Sequence, residues 1–435
     1  MNIHSNPTQS GVNRSILRLA VPSIVTNITT PLLALMDVAI AGHMGAPVYI
    51  AAIAVGGSMF NMLYWLFGFL RMGSSGMTAQ AYGRNDRAAM ATVLHQALLV
   101  AILVGLLMIA LQSPLCTLIL RFMDTDAATS RLAADYFHIL IWGAPPYLAT
   151  FALSGWFLGM QNSRVTMWCS ILINITNIAA SLTLVYLFHL GIPGIAAGTL
   201  IAQWTGFITM FILAMRHLGH PEAPWSDMLS LPQLKRFFRI NTDIFLRTVC
   251  LVAVTMWFTR MGAVQGDRML AVNALLMQFF TLFSYFMDGF AFAGEALTGR
   301  YTGAADTAML RRSVRALLAW GTAVAIIFSA IYLLCGDLLL NILSSDRGIT
   351  AMAHEYLGWV ATVPAAGFLA FTWDGIFIGA TDTRRMLLSM FIATVAFFIV
   401  EAIAFPHLAN HGLWLAFLIY LLLRGLILTI FYRRS

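Results

Sequence analysis

Apolar runs long enough to cross a bilayer, which needs about 20 residues, recur twelve times along this chain of 435 residues. They fall at about 15–42, 47–82, 88–120, 131–158, 165–189, 193–216, 240–262, 268–299, 309–335, 351–379, 386–406 and 411–432. In hydrocarbon every backbone N–H and C=O must be satisfied within the protein, so such runs can only be helices or closed barrels, and runs this long are helices. Composition agrees: 60% of residues are hydrophobic and 10% charged, against about 25% charged in soluble domains. The chain is therefore expected to be an all-α polytopic membrane protein of twelve transmembrane helices, with the lipid bilayer as its first partner.

The formal charge of +7 is explained by where the arginines lie, and nucleic-acid binding is not implied. With an even number of spans both termini share a side. That side holds Arg14, Arg18, Arg84, Arg87, Arg164, Arg216, Lys235, Arg236, Arg239, Arg300, Arg311, Arg312, Arg315, Arg384, Arg385, Arg433 and Arg434, while the opposite loops hold only Arg121, Arg131, Arg260, Arg268 and Arg347. The positive-inside rule puts both ends in the cytoplasm. The N-terminal segment MNIHSNPTQSGVNRS lacks the sections of a cleaved signal peptide. Cys116, Cys169, Cys250 and Cys335 have no CxxC spacing, and the histidines have no metal spacing. No GxxxxGK[ST], HExxH or GxSxG occurs, which argues against ATP-driven work within this chain and against the common hydrolases.

The longest polar connection, Leu218 to Arg239, splits the spans six and six. The expected division is a six-helix N-terminal lobe over 1–217, a cytoplasmic linker over 218–239 and a six-helix C-terminal lobe over 240–435. One constant shift along the chain superposes the halves: Met36 and Gly42 meet Met256 and Gly262, Thr78, Gly83 and Asp86 meet Thr298, Gly303 and Asp306, and Tyr136, Gly155, Gly159 and Arg164 meet Tyr356, Gly375, Gly379 and Arg384. Six helices per copy leave both copies in one orientation. Their pseudo-twofold axis then runs along the membrane normal, as in parallel-repeat carriers, and two bundles about a central cavity follow.

The first span is interrupted where a simple anchor would not be. Pro22 and Pro31 remove backbone donors, and Ser23, Asn27, Thr30 and Asp37 recur at helical spacing. A carboxylate at membrane depth costs about 2.5–3.5 kcal/mol on insertion scales, so Asp37 is a default candidate for handling protons or cations. The alternative is that it only locks helices together. Under the shift that superposes the halves, Asp37 meets Trp257, so this acid belongs to one half alone. Ser170, Asn174, Asn177 and Ser181 form a second polar stripe, with Thr199 and Gln203 on the next span. Packed together, Asp37, Asn177, Ser181 and Thr199 make an oxygen-rich nest suited to a proton or hard cation, or an ordinary interhelical hydrogen-bond cluster. Asn27, Thr30, Asn61, Tyr64, Trp65, Asn174 and Gln203 are candidates for a substrate cavity.

The second half carries its own charges at membrane depth: Asp243, Arg247, Asp288, Glu295, Asp374, Glu401 and Arg424. Arg247 and Arg424 are expected to neutralise Asp288 and Asp374 in a structural ion-pair cluster, with a proton relay as the second reading. Glu401 falls opposite Ser181 in the repeat, toward the outer leaflet.

The segments PSIVTNITTPLLALMDVAIAGHMG, FLRMGSSGMTAQAYGRND, LAVNALLMQFFTLFSYFMDGFAFAGEALTGRYTGA and WDGIFIGATDTRRM resemble the multidrug and toxic compound extrusion (MATE) family, in its DinF-like branch, and the resemblance extends over essentially all twelve spans. It implies a monomeric bacterial inner-membrane antiporter of two six-helix lobes, without cofactor or metal, that exports small organic, cationic or amphipathic compounds in exchange for H+ or Na+. By resemblance Asp37 matches the family's first-helix aspartate and Pro22 the proline where that helix bends. Asn177 and Thr199 match polar ligands of a cation site, and Asp374 matches an acid associated with coupling. Ser181 stands where many relatives have a second aspartate. One carboxylate suffices for a proton, so H+ is expected over Na+. A lipid-linked oligosaccharide flippase of the same superfamily is the alternative, and an intramembrane enzyme is a more distant one.

Overall fold

The computed structural model describes residues 9–123, 126–219 and 230–434. Among them are sixteen α-helices and no strand. In chain order these are α1 (Gln9–Gly42), α2 (Pro47–Trp65), α3 (Phe69–Gly83), α4 (Arg87–Ala110), α5 (Gln112–Met123), α6 (Ala127–Leu140), α7 (Ala144–Gly159), α8 (Ser163–Leu182) and α9 (Ile192–Leu218). After these come α10 (Leu231–Val264), α11 (Asp267–Gly303), α12 (Thr307–Leu343), α13 (Arg347–His354), α14 (Leu357–Gly379), α15 (Thr383–Leu408) and α16 (Asn410–Arg433).

Among the described residues, eleven continuous helical stretches are long and apolar enough to cross a membrane. The expected fourth span, 131–158, is not among them; like the second, it is built from two helices joined by a 3-10 turn. A 3-10 turn at Ile141–Gly143 joins α6 to α7. Pro145 and Pro146 lack the N–H groups that would bond back to residues 141 and 142, so a regular helix cannot run through. Breaks also fall inside the expected second span, at Leu66–Gly68, and inside the third, at Leu111.

The internal repeat is as clear in the backbone as in the sequence. Pro47 and Asp267, Arg87 and Thr307, Ala127 and Arg347, and Ser163 and Thr383 each open a helix, and the same offset separates every pair. Among the described residues, every positive-φ residue other than glycine also has a partner at that offset: Asn85 with Ala305, Gln161 with Thr381, and His189 with Ala409. Side chains with a Cβ disfavour that conformation, so identical placement in both halves reflects one shared turn geometry. Asp86 and Asp306 cap the helices that follow, accepting from the amides of Ala89 and Met309.

Close helix crossings repeat too. A Cβ on Gly155 would lie 2.1 Å from the Arg71 carbonyl oxygen, and one on Gly375 would lie 2.2 Å from that of Ala291. Only glycine lets α7 seat on α3, and α14 on α11, at this separation.

The described residues fall into two compact units: one spans Val25–Asn241, and the other joins the chain up to Ile24 with Thr242 onward. This division changes units at Asn241, beside the expected limit at 240, and differs from the expected lobes in placing the chain up to Ile24 with the C-terminal half; most of the expected linker lies outside the described residues. The reason is the length of two helices. α1 and α10 have 34 residues each, about 50 Å at 1.5 Å per residue, and each passes from one unit into the other. In the unit that holds the C-terminal half, the Trp320 indole donates to Asn13 at 3.3 Å, and Gly289 receives Ile24. In the other, Arg236 donates to Gln80 at 3.2 Å, and Asn241 lies over Gly73.

Candidate functional site

In the Val25–Asn241 unit, three helices bring Asp37, Asn177 and Thr199 together. The end of α1 turns Asp37, Ile40 and Ala41 inward, all of them buried. Asn177 and Ser181 lie one turn apart on the buried face of α8. Thr199 lies on the buried face of α9. Two glycines bring α9 close to α8: a Cβ on Gly198 would lie 2.2 Å from Ser181 Oγ, and one on Gly206 would lie 2.4 Å from Ile173.

The Asn177 amide nitrogen donates to Asp37 Oδ1 at 3.3 Å and to Thr199 Oγ1 at 2.8 Å. The Thr199 hydroxyl lies 3.1 Å from both Asp37 Oδ2 and the Ile195 carbonyl oxygen, either of which can accept its one proton. Asp37 is 3% exposed, and no basic group pairs with it among the described residues. The carboxylate is thus buried among neutral donors, where its charge is balanced by hydrogen bonds alone. The Ser181 hydroxyl is buried and has no hydrogen-bond partner among the described residues, so it adjoins the cluster and does not ligate Asp37.

Tyr136 of α6 completes the site. Its side chain is buried and lies in electrostatic range of Asp37. The sequence marked Tyr136 only as a repeat partner of Tyr356. Nothing in its spacing pointed toward α1, because α6 reaches the site through the fold.

The proposed cavity residues occupy different surroundings. Tyr64 and Gln203 are buried, with Tyr64 stacked on Tyr147 at 4.2 Å and Gln203 seated on Gly143. Asn174 donates back to the Ser170 carbonyl at 2.9 Å. Thr30, Asn61 and Trp65 are exposed, and Asn27 is half-buried. Pro22 is buried, within a helix that continues unbroken from Gln9 to Gly42.

In the other unit, the expected ion-pair cluster forms on Asp374 and leaves out Asp288. Both Arg247 and Arg424 donate to one oxygen, Asp374 Oδ2, and Arg424 also lies over the Tyr420 ring, 5.3 Å from its centroid. Neither arginine pairs with Asp288. Asp243 accepts from the Thr383 hydroxyl at 2.7 Å and does not pair with Arg247. Glu295 is buried, and Glu401, 5% exposed, has no hydrogen-bond or ion-pair partner among the described residues. Two arginines converge on Asp374 because α10, α14 and α16 each carry a charge to the same depth. Charges that far apart in sequence give no spacing signal of which will meet.

The MatE family model matches residues 22–183 and 243–403. The chain is 36% identical over 425 residues to DNA damage-inducible protein F of Escherichia coli (strain K12), covering 97% of this chain and 92% of that protein. It is 26% identical over 434 residues to a probable multidrug resistance protein NorM of Deinococcus radiodurans, covering 96% and 94%. Its fold matches a solved structure described as the outward-facing conformation of a multidrug resistance MATE family transporter of the MOP superfamily. That match has a TM-score of 0.87 and 18% identity, and covers 97% of this chain and 95% of the other.

Proposed function

The chain belongs to the MatE family of multidrug and toxin extrusion transporters, and from that premise we propose that it is a proton-coupled antiporter whose coupling group is Asp37. It exports small organic compounds across a bacterial inner membrane by alternating access, with both termini in the cytoplasm. The observation that carries this reading is the hydrogen-bond set around Asp37. The single Thr199 proton has two acceptors, Asp37 Oδ2 and Ile195 O. When Asp37 takes up a proton it no longer needs a donor at Oδ2, and the Thr199 hydroxyl is released to Ile195. The site therefore has room for one added proton without stranding a polar group.

A sodium ion fits less well. Hard cations take oxygen ligands, and the group facing Asp37 Oδ1 is the donor nitrogen of Asn177. Ser181 supplies a hydroxyl in place of a second carboxylate.

Coupling to transport follows from the helix that carries the acid. α1 belongs to one unit up to Ile24 and to the other from Val25, so a change of its shape moves one unit against the other. Pro22 removes the hydrogen bond to residue 18, which softens the helix there. The Thr29 and Thr30 hydroxyls both bond back to the Thr26 carbonyl, each at 2.9 Å, a pattern that also favours bending. Neutralising Asp37 removes the penalty for burying its charge and biases α1 toward the bent form. Each tenfold difference in proton affinity between the two forms supplies about 1.4 kcal/mol of bias.

The test is a swap of gradients in proteoliposomes loaded with ethidium. An imposed pH gradient is expected to drive efflux, and a Na+ gradient at uniform pH is expected not to. Efflux driven by Na+ alone would overturn the choice of ion.

A further inference from the structure

The charges around Asp374 do not balance. Two guanidinium groups, Arg247 and Arg424, meet one carboxylate oxygen, and all three side chains lie in membrane-crossing helices with at most 9% of their surface exposed. The Nε–H groups of both arginines are buried without a partner among the described residues. No further carboxylate lies within ion-pair range of either arginine among the described residues. Asp243, one turn before Arg247, is bonded to Thr383, and Glu401 has no partner in the same set. The cluster therefore carries one excess positive charge in a medium where an uncompensated charge is costly.

We infer that this cluster is a binding site for an anionic group, a carboxylate, sulfonate or phosphate, so that the solutes handled by this chain include amphipathic anions. A guanidinium offers donors in a planar fork that matches such groups with two parallel bonds. Arg424 is the deeper of the two, 3% exposed and resting on Tyr420. Its role is to hold Asp374. Arg247 and Asp374 keep more of their surface open, and Arg247 is the arginine that meets the ligand. The site itself is independent of the efflux reading, and only the transport arm of the test rests on it.

The test uses two probes with one apolar body and opposite heads, 2-naphthoate and 2-naphthylmethylammonium. Binding is measured by calorimetry on the whole protein in nanodiscs of zwitterionic lipid. Naphthoate is expected to bind at least tenfold more tightly than the ammonium. Arg247→Gln is expected to lose that preference at least tenfold while leaving the ammonium unchanged. This variant retains a balanced Arg424–Asp374 pair, so its melting temperature should match or exceed that of the parent. Should it fail to fold, Arg247→Lys keeps the charge without the fork, and a several-fold loss for naphthoate is expected. Equal binding of the two probes, or naphthoate binding undiminished in either folded variant, would overturn the proposal. Adding phosphatidylglycerol to the disc distinguishes the source of the anion: weakened naphthoate binding assigns the site to a lipid headgroup, and unchanged binding to a free solute. Naphthoate bound but not moved in proteoliposomes that do move ethidium would overturn the place of anions among the transported solutes.

Discussion

The two halves of the molecule share a backbone and differ in what they do with a buried acid. Four pairs of their helices open at positions related by one constant offset, and among the described residues their left-handed residues other than glycine match one for one. Yet Asp37 is held by two neutral donors, whereas Asp374 is held by two arginines. In the repeat, the position of Asp37 corresponds to Trp257, that of Asn177 to Phe397, and that of Ser181 to Glu401. One half has a buried acid with no basic partner among the described residues, and the other has a buried acid held by two guanidinium groups. A duplicated scaffold supplies burial and helix packing, and the residues around each carboxylate decide whether it meets neutral donors or arginines.

The sharpest way to break this contrast is to neutralise each acid in turn. Asp374→Asn strands two guanidinium groups and is expected to cost about 3–5 kcal/mol, seen as a large drop in melting temperature in detergent. Asp37→Asn removes a buried charge with no ionic partner and is expected to leave the melting temperature equal or higher. Equal destabilisation by the two would erase the distinction between the halves. A smaller effect tests their likeness. Gly155→Ala and Gly375→Ala each force a methyl group against a carbonyl at a matched crossing, at about 1–3 kcal/mol each. Thermal unfolding of the two variants should agree to within about 1 kcal/mol, and a loss at one site alone would show that the crossings are not equivalent. The smallest effect concerns the site itself. Ser181→Ala should leave transport within about twofold, because its hydroxyl has no partner to lose among the described residues. Thr199→Val removes the donor at Asp37 Oδ2 and should slow pH-driven transport about tenfold. Equal slowing by both would place Ser181 among the ligands of the proton.

Much of the fold was legible because hydrocarbon permits so few solutions. Apolar runs placed the membrane-crossing helices, and the constant offset between like residues announced the repeat before any contact was known. The fourth span hid its break because the apolar run continues across the 3-10 turn at Ile141–Gly143 into α7, which Pro145 and Pro146 open. The unit boundary hid as well: it lies within α1 and α10, where composition does not change, and is set by which neighbours Asn13 and Asn241 touch.

Asp37, Asn177 and Thr199 could be assembled from helical spacing, since each lies on an inward face of its own helix. Tyr136 could not, because its approach depends on how α6 packs. The pairing of Arg247 and Arg424 on one oxygen was equally hidden, being a matter of three helices meeting at one depth. Local periodicity reports which side of a helix is inside. It does not report what is met there.

The central claim is that Asp37 exchanges a proton for substrate. Adding ethidium to the purified protein in weakly buffered solution containing a pH-sensitive dye tests it most directly. The account predicts that substrate binding releases protons from the parent protein and releases none from Asp37→Asn, which should still bind ethidium. Proton release of equal size from the Asp37→Asn variant would contradict it.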